Sequence, residues 1–235
     1  MTGEELQARY RAGQRNFVRA DLHDAALSMA DLSEIVLTGA NLSGAILTGS
    51  DLSGAELMGA NLYQAKLWKV NLVAANLSEA NLSEANLWEA NLRDANLAKA
   101  NLSRSNLTGA DLWNADLLEA ELSRADCTSA NLTGAILMKS NLTKTQLRKT
   151  ELVNAELMDA DLTGANLMEA NLAGSNLSGA KFEAAHLIGA NLSDVEAIQA
   201  DFSQVCMRGA DLTGVDLESM VFSETVMPDG SVRSS

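Results

Sequence analysis

The feature that most constrains this chain is a five-residue period. Between Asn76 and Leu107 it reads NLSEANLSEANLWEANLRDANLAKANLSRSNL, which is Ala-Asn-Leu-x-x without an insertion. The register begins at Phe17. Its central positions recur at every fifth residue to Met227, 43 in all, and 35 of them are leucine. The exceptions are Phe17, Cys127, Phe182, Ala197, Phe202, Met207, Phe222 and Met227, none of them charged. Two residues before each centre stands a small side chain, usually alanine, with Ser50, Ser105, Ser140, Thr145, Thr150 and Ser175 as polar variants.

Such a period does not suit an α-helix. At about 100° per residue, successive leucines rotate by about 140° and spread around the whole cylinder. Extended geometry does suit it, because positions two apart in a strand face the same way. Ala20 and Leu22 then point inward and Asp21 outward, and the remaining two residues turn a corner. All 13 glycines within the register fall two residues after a centre, beginning with Gly39, Gly44 and Gly49. A type II turn needs a positive φ at that position, and glycine adopts it freely. Where Glu79, Glu84 or Lys99 takes the slot, another turn type is expected. Self-similarity at a short fixed period marks a stacked repeat rather than two ordinary domains.

Units such as Ala80-Asn81-Leu82-Ser83-Glu84 resemble the A(D/N)Lxx repeat of the pentapeptide-repeat family, over roughly nine-tenths of the chain. That resemblance implies an all-β fold, a right-handed quadrilateral parallel β-helix (solenoid) with four pentapeptides per coil. One check is internal: of eleven residues spaced by twenty from His23, eight are Ser or Thr. On this architecture about ten coils form a rod roughly 50 Å long. Asn61, Asn81 and Asn101 are expected to stack as an amide ladder, whereas Asp31 over Asp51 repels.

The flanks differ. Residues 1–15 are expected to form a short N-terminal capping α-helix: Thr2 caps it, Glu4 and Glu5 favour its first turn, Leu6 and Tyr10 make a stripe, and Gly13 stops it. Residues 16–227 form the pentapeptide-repeat β-helix and residues 228–235 a C-terminal tail. Pro228-Asp229-Gly230 is a turn signal, and Val226 and Met227 are expected to cover the last coil. The tail resembles the close of cyanobacterial members of the family, which implies a cyanobacterial source.

Charge narrows the partners. The net charge is −14: residues 1–98 carry 7 basic and 12 acidic side chains, residues 99–150 carry 7 and 5, and residues 151–235 carry 3 and 14. A chain of that balance repels nucleic acid and anionic membranes, so neither is expected as a direct partner. Two cysteines form no disulfide framework, no apolar leader precedes the register, and a cytoplasmic location is expected.

Catalytic chemistry has no foothold. His23 and His186 precede centres and so face outward; His186 and Cys206, twenty apart, lack the further ligands of a metal site. No nucleophile–base order, phosphate-cradling loop or enclosed carboxylate pair stands out, so the chain is not read as an enzyme, and no cofactor or metal is expected.

Outward apolar residues are the better candidates. Trp68, Trp88 and Trp113 each follow a centre, and Trp68 and Trp88 are expected one above the other. Leu118, Met138 and Met158 form a stripe on the opposite face. Together these six are the candidate partner-binding surface, since aromatic and Met clusters mark interfaces. The reading is a non-catalytic protein-interaction scaffold with an unidentified protein partner and a possible homodimer through the C-terminal end. The alternative follows from the resemblance: some members mimic duplex DNA and bind DNA gyrase. Here Lys99, Arg104, Arg124, Lys139, Lys144, Arg148 and Lys149 interrupt the acidity, and the centres are Leu rather than Phe.

Overall fold

In a computed structural model that describes residues 1–234, the repeat closes on itself every twenty residues. Single-residue bridges, all parallel, pair the outward residue before a centre with the one twenty ahead, from Asn16 with Val36 through to Cys206 with Val226, Glu196 being passed over. Four such bridges fall in each coil. The twenty-residue column found in the Ser and Thr positions is therefore the coil itself.

Backbone bonding explains why five residues suffice. In the unit Asn41–Ala45 the Asn41 N–H donates back to Ala20 O (2.9 Å), and the Leu42 N–H donates forward to Asn61 O (2.7 Å). Gly44 N–H donates forward to Tyr63 O (2.8 Å), and Ala45 N–H closes the corner onto Leu42 O (3.0 Å). The remaining donor, Ser43 N–H, is taken by the Asn41 side-chain Oδ1 at 3.3 Å. Every backbone donor of the unit is thus satisfied, as burial requires. The Asn or Asp before each leucine is an acceptor for the N–H two residues on, a local motif these side chains favour.

The amide ladder forms only in part. Asn61 Nδ2 donates to Asn41 Oδ1 (3.2 Å) and Asn81 Nδ2 to Asn61 Oδ1 (3.1 Å). Asn101 does not continue it among the described residues; its Oδ1 accepts the Ser103 N–H at 3.0 Å. Asp31 and Asp51 are bridge partners, yet each carboxylate is occupied by donors, Ser33 for one and Ser53 with Asn71 for the other.

One expectation about the corners fails. Glu79, Glu84 and Lys99 have φ of 59°, 57° and 59°, beside 63° at Gly39, so the same left-handed residue sits at these corners. The forward bonds from Glu79 to Ala98 O (2.9 Å) and from Lys99 to Leu118 O (2.8 Å) hold them there. A left-handed L-residue costs about 1–2 kcal/mol, which inter-coil bonding and packing offset. At some corners glycine also makes room for the coil below, since a Cβ on Gly134 lies 2.5 Å from Asn114 Oδ1, whereas at Gly59 the space is open.

The core is one column of leucines and alanines running the length of the stack. Phe182 and Phe202 stack within it at 4.6 Å between ring centres, and Phe222 continues the column. The buried hydroxyls are satisfied in two ways. Ser50 donates within its own corner to Leu47 O (2.7 Å), whereas Thr145 and Thr150 donate to the preceding coil, at Leu122 O and Cys127 O (both 2.8 Å). Cys127 is a buried central residue, and burial pushes its thiol up to about 12.

The ends differ from the middle. Helix α1 spans Gly3–Arg11, with Thr2 accepting the Glu5 N–H, and it buries Leu6 and Tyr10. Tyr10 Oη donates to Ser33 O at 2.9 Å, and the Met1 ammonium donates to Asp21 O at 2.9 Å. At the other end the pattern breaks at a 3-10 turn, Leu217–Ser219, where Gln199 N–H reaches Ser219 O. The chain then rejoins through Asp201–Val221 and Cys206–Val226. It finishes in a small antiparallel hairpin, β1 (Thr225–Val226) with β2 (Val232–Arg233), around Pro228–Gly230. Met227 packs partly buried against the core. No helix among the described residues is long and apolar enough to cross a membrane.

Candidate protein-binding surface

Because coils repeat every twenty residues, each outward position becomes a column along the stack. Trp68 and Trp88 share one: their ring centres are 6.4 Å apart with a 44° tilt. Trp68 is 38% exposed, and Trp88 is half-buried beneath the Lys69 ammonium, 5.1 Å from its centre. Lys69 is in turn fixed by Glu89 at 3.4 Å. Trp113 belongs to a different column, its face covered by the Arg93 guanidinium at 4.7 Å, which also reaches Asp111 at 3.2 Å.

Leu118, Met138 and Met158 form a third column, traced by backbone bonds from Glu119 N to Met138 O and from Lys139 N to Met158 O, both 2.9 Å. All three are half-buried. Ten residues, half a coil, separate this column from the tryptophan pair. The six residues thus make three columns, not one patch, and Trp68 is the most exposed of them at little over a third of its surface.

The sequence reading overlooked the continuation of the methionine column. Ile198, 52% exposed, lies two coils beyond Met158, and with Ser178 between them they border a shallow hollow of about 350 Å³. Ser178 Oγ is buried there without a hydrogen-bond partner. Adding forty to Met158 finds Ile198, so the signal was present in the register. Met29, 78% exposed, and Met58, 44% exposed, are further apolar tips on the N-terminal coils.

Ion pairs decorate the corners. Glu169 takes Arg148 (3.3 Å) and Lys149 (3.4 Å), and the Arg148 hydrogen bond, then the Lys149 charge, hold its carboxyl below the usual range. Asp211 is held low by the Thr213 hydroxyl and N–H. His186 and Cys206 are bridge partners, as their spacing required. Among the described residues no three His, Cys, Asp or Glu side chains gather as a metal set.

Parallel single-residue bridges at twenty-residue spacing around a continuous apolar column define a β-helix repeat protein. The pentapeptide-repeat model matches in eight copies, over residues 16–54, 55–87, 75–114, 100–137, 135–174 and 175–214. The chain belongs to the pentapeptide-repeat family. Among solved structures it is similar to HetL of the cyanobacterium Nostoc sp. strain PCC 7120, a pentapeptide-repeat protein involved in heterocyst differentiation regulation. Identity is 33% over 99% of this chain and 100% of HetL, with a TM-score of 0.48. It is also similar to QnrB1, a plasmid-mediated fluoroquinolone resistance protein, at 20% identity over 89% and 86% of the two chains and a TM-score of 0.42. Rfr23 of the cyanobacterium Cyanothece 51142 matches at 31% identity over 49% of this chain and 62% of its own, with a TM-score of 0.30. No protein of curated function shows significant similarity.

Proposed function

We propose that the protein is a non-catalytic interaction scaffold, a right-handed four-sided β-helix that binds a protein partner through apolar residues held at fixed spacing on its coils. The observation that carries this reading is the Trp68–Trp88 pair. Two large aromatic rings stand on adjacent coils of a rigid stack, both partly exposed, and neither belongs to the buried core. Exposed aromatic clusters on a rigid surface are the usual anchors of protein interfaces. In this reading Trp113 and the Leu118–Met138–Met158 column, extended to Ile198, are secondary contacts.

Residues 1–15 act as the cap, residues 16–227 as the binding rod and residues 228–235 as the closing tail. The partly buried Leu212, Val215 and Leu217 at the C-terminal end are the surface through which two copies would associate in the cytoplasm. Sedimentation of the wild type against Leu217→Glu tests this: a wild type that stays monomeric at high micromolar concentration discards the dimer. The DNA-mimic reading has less support, because corner cations pair with carboxylates along two of the columns.

The test is affinity capture from native lysate with wild type and a Trp68→Ala, Trp88→Ala double variant, quantified by mass spectrometry. A partner retained by the wild type and lost by a folded double variant is expected. Identical retention by the two sinks the tryptophan anchor.

A further inference from the structure

Three corner cations of this fold are matched across coils, Lys69 with Glu89 at 3.4 Å, Lys99 with Glu119 at 3.8 Å and Lys149 with Glu169 at 3.4 Å. One corner column stacks cation on cation instead. Arg104, Arg124 and Lys144 occupy the same slot in three successive coils, joined by the bonds Arg104 N–H to Ser123 O and Arg124 N–H to Thr143 O, both 3.0 Å. Like charges stacked on neighbouring strands destabilise the pair. Only Arg104 reaches a carboxylate, Glu84 at 3.9 Å, and that carboxylate already accepts from Tyr63 Oη and Gln64 Nε2.

The Arg124 and Lys144 head groups have no hydrogen bond or ion pair among the described residues. The hydroxyls of Ser103, Ser123 and Thr143 beside them are likewise unengaged, their backbone N–H groups being the bonded atoms. These six residues line one open cleft of about 510 Å³ with Glu84 at its edge. The result is a row of donors with almost no internal acceptor, kept at a cost that the alternating corners avoid.

We propose that this cleft binds a short, extended acidic segment of a protein partner. Guanidinium groups hold carboxylates by paired, charge-assisted hydrogen bonds, and the hydroxyls are placed to donate alongside. Coils rise by about 4.8 Å, so three cations span about 10 Å, the reach of about three extended residues. Length is what excludes a long polyanion: the cationic column meets Glu84 at one end and gives way to the uncharged Gly164 and Ala184 at the other, where Glu183 stands in the neighbouring column. The charge of −14 elsewhere does not forbid the contact. At physiological ionic strength screening confines each exposed charge to about 8 Å.

The proposal rests on the scaffold reading but uses a different column from the tryptophans, so the two fail separately. The experiment is fluorescence anisotropy of labelled hexaglutamate with the full chain at low salt, for wild type, Arg124→Glu, Arg19→Glu and the Trp68→Ala, Trp88→Ala variant. Saturable binding is expected, weakened about tenfold or more by Arg124→Glu, the scale of a lost charge-assisted contact. Arg124→Glu makes the charges alternate along the column, so its Tm is expected to stay or rise, which separates lost binding from lost folding. Arg19→Glu, with the same change in net charge on the first coil, and the tryptophan variant should bind as wild type. Absence of saturable binding, equal weakening by Arg19→Glu, or tighter binding of pyrophosphate or a short oligodeoxynucleotide overturns the proposal.

Discussion

At the scale of the residue, the repeat rests on a division of labour within five positions. The outward Asn or Asp is not simply a polar face. In Asn81 the Oδ1 accepts both the Ser83 N–H (3.1 Å) and its hydroxyl (2.6 Å), while Nδ2 reaches the coil below at 3.1 Å. Asn81→Ala strips an acceptor from a backbone donor and should cost about 1–3 kcal/mol in urea unfolding. Asn81→Asp keeps that acceptor and should cost clearly less; equal losses would show that the acceptor is not the reason for the motif. Cys127 gives a second residue-scale expectation. Its thiol is buried and held protonated, with a pKa raised to about 12. Its stabilising contribution is complete below the unfolded thiol value and is lost as pH rises from there through the folded one. At pH 8 the native protein should therefore expose the half-buried Cys206 to a disulfide reagent while Cys127 reacts only on unfolding. Fast reaction of both thiols in the folded state would contradict this burial.

At the scale of the element, the middle of the chain has no conventional secondary structure to describe; its unit is the coil. The ends are the true elements. Helix α1 cannot be stable alone at nine residues, and what holds it is Leu6, fully buried on the first coil. Its approach is close: a Cβ added to Gly3 collides with the Ala26 carbonyl. Leu6→Ala should cost about 2–5 kcal/mol, and amide exchange in the coil over Leu22–Ala30 should accelerate. Exchange left at wild-type rates there would mean that the helix does not protect the coil. At the opposite end the 3-10 turn Leu217–Ser219 interrupts the bridges before β1 and β2 fold back. Centres continue through Leu217 in the sequence, so periodicity alone could not show that break.

At the scale of the whole molecule, acidity accumulates toward the C-terminal third, and several carboxylates there are stabilised in their charged form. Glu169 is held low by the Arg148 hydrogen bond and Lys149, Asp211 by Thr213, and Asp229 by the Ser231 hydroxyl and N–H. Folded values below the unfolded ones mean that this stability is present at neutral pH. It is lost as pH falls from the ordinary carboxylate range, near 4, through the lowered values. Thermal melts from pH 7 to pH 2 should therefore show Tm falling below about pH 4.5, and Arg148→Ala with Lys149→Ala should remove the Glu169 share. A Tm independent of pH over that interval would rule these contacts out as contributors. Of the candidate surface, the sequence could place the columns but not their exposure. Trp88 and Trp113 follow a centre just as Trp68 does, yet Lys69 and Arg93 from the preceding coil lie over their rings.

The sequence by itself determined the repeat and the inward Leu and Ala column, because a five-residue register sustained over 43 centres must bury one apolar row; the four-sided, twenty-residue closure came only with the family resemblance and the bridges. Tertiary structure alone decided which outward residues are free. Each side chain's neighbours are the residues twenty before and after it, and whether a long cation pairs, covers a ring or stands unmatched depends on its direction across that gap. That is why the corner turns proved alike for Gly39 and Lys99, why the Asn ladder ended at Asn81, and why Arg124 and Lys144 emerged without partners.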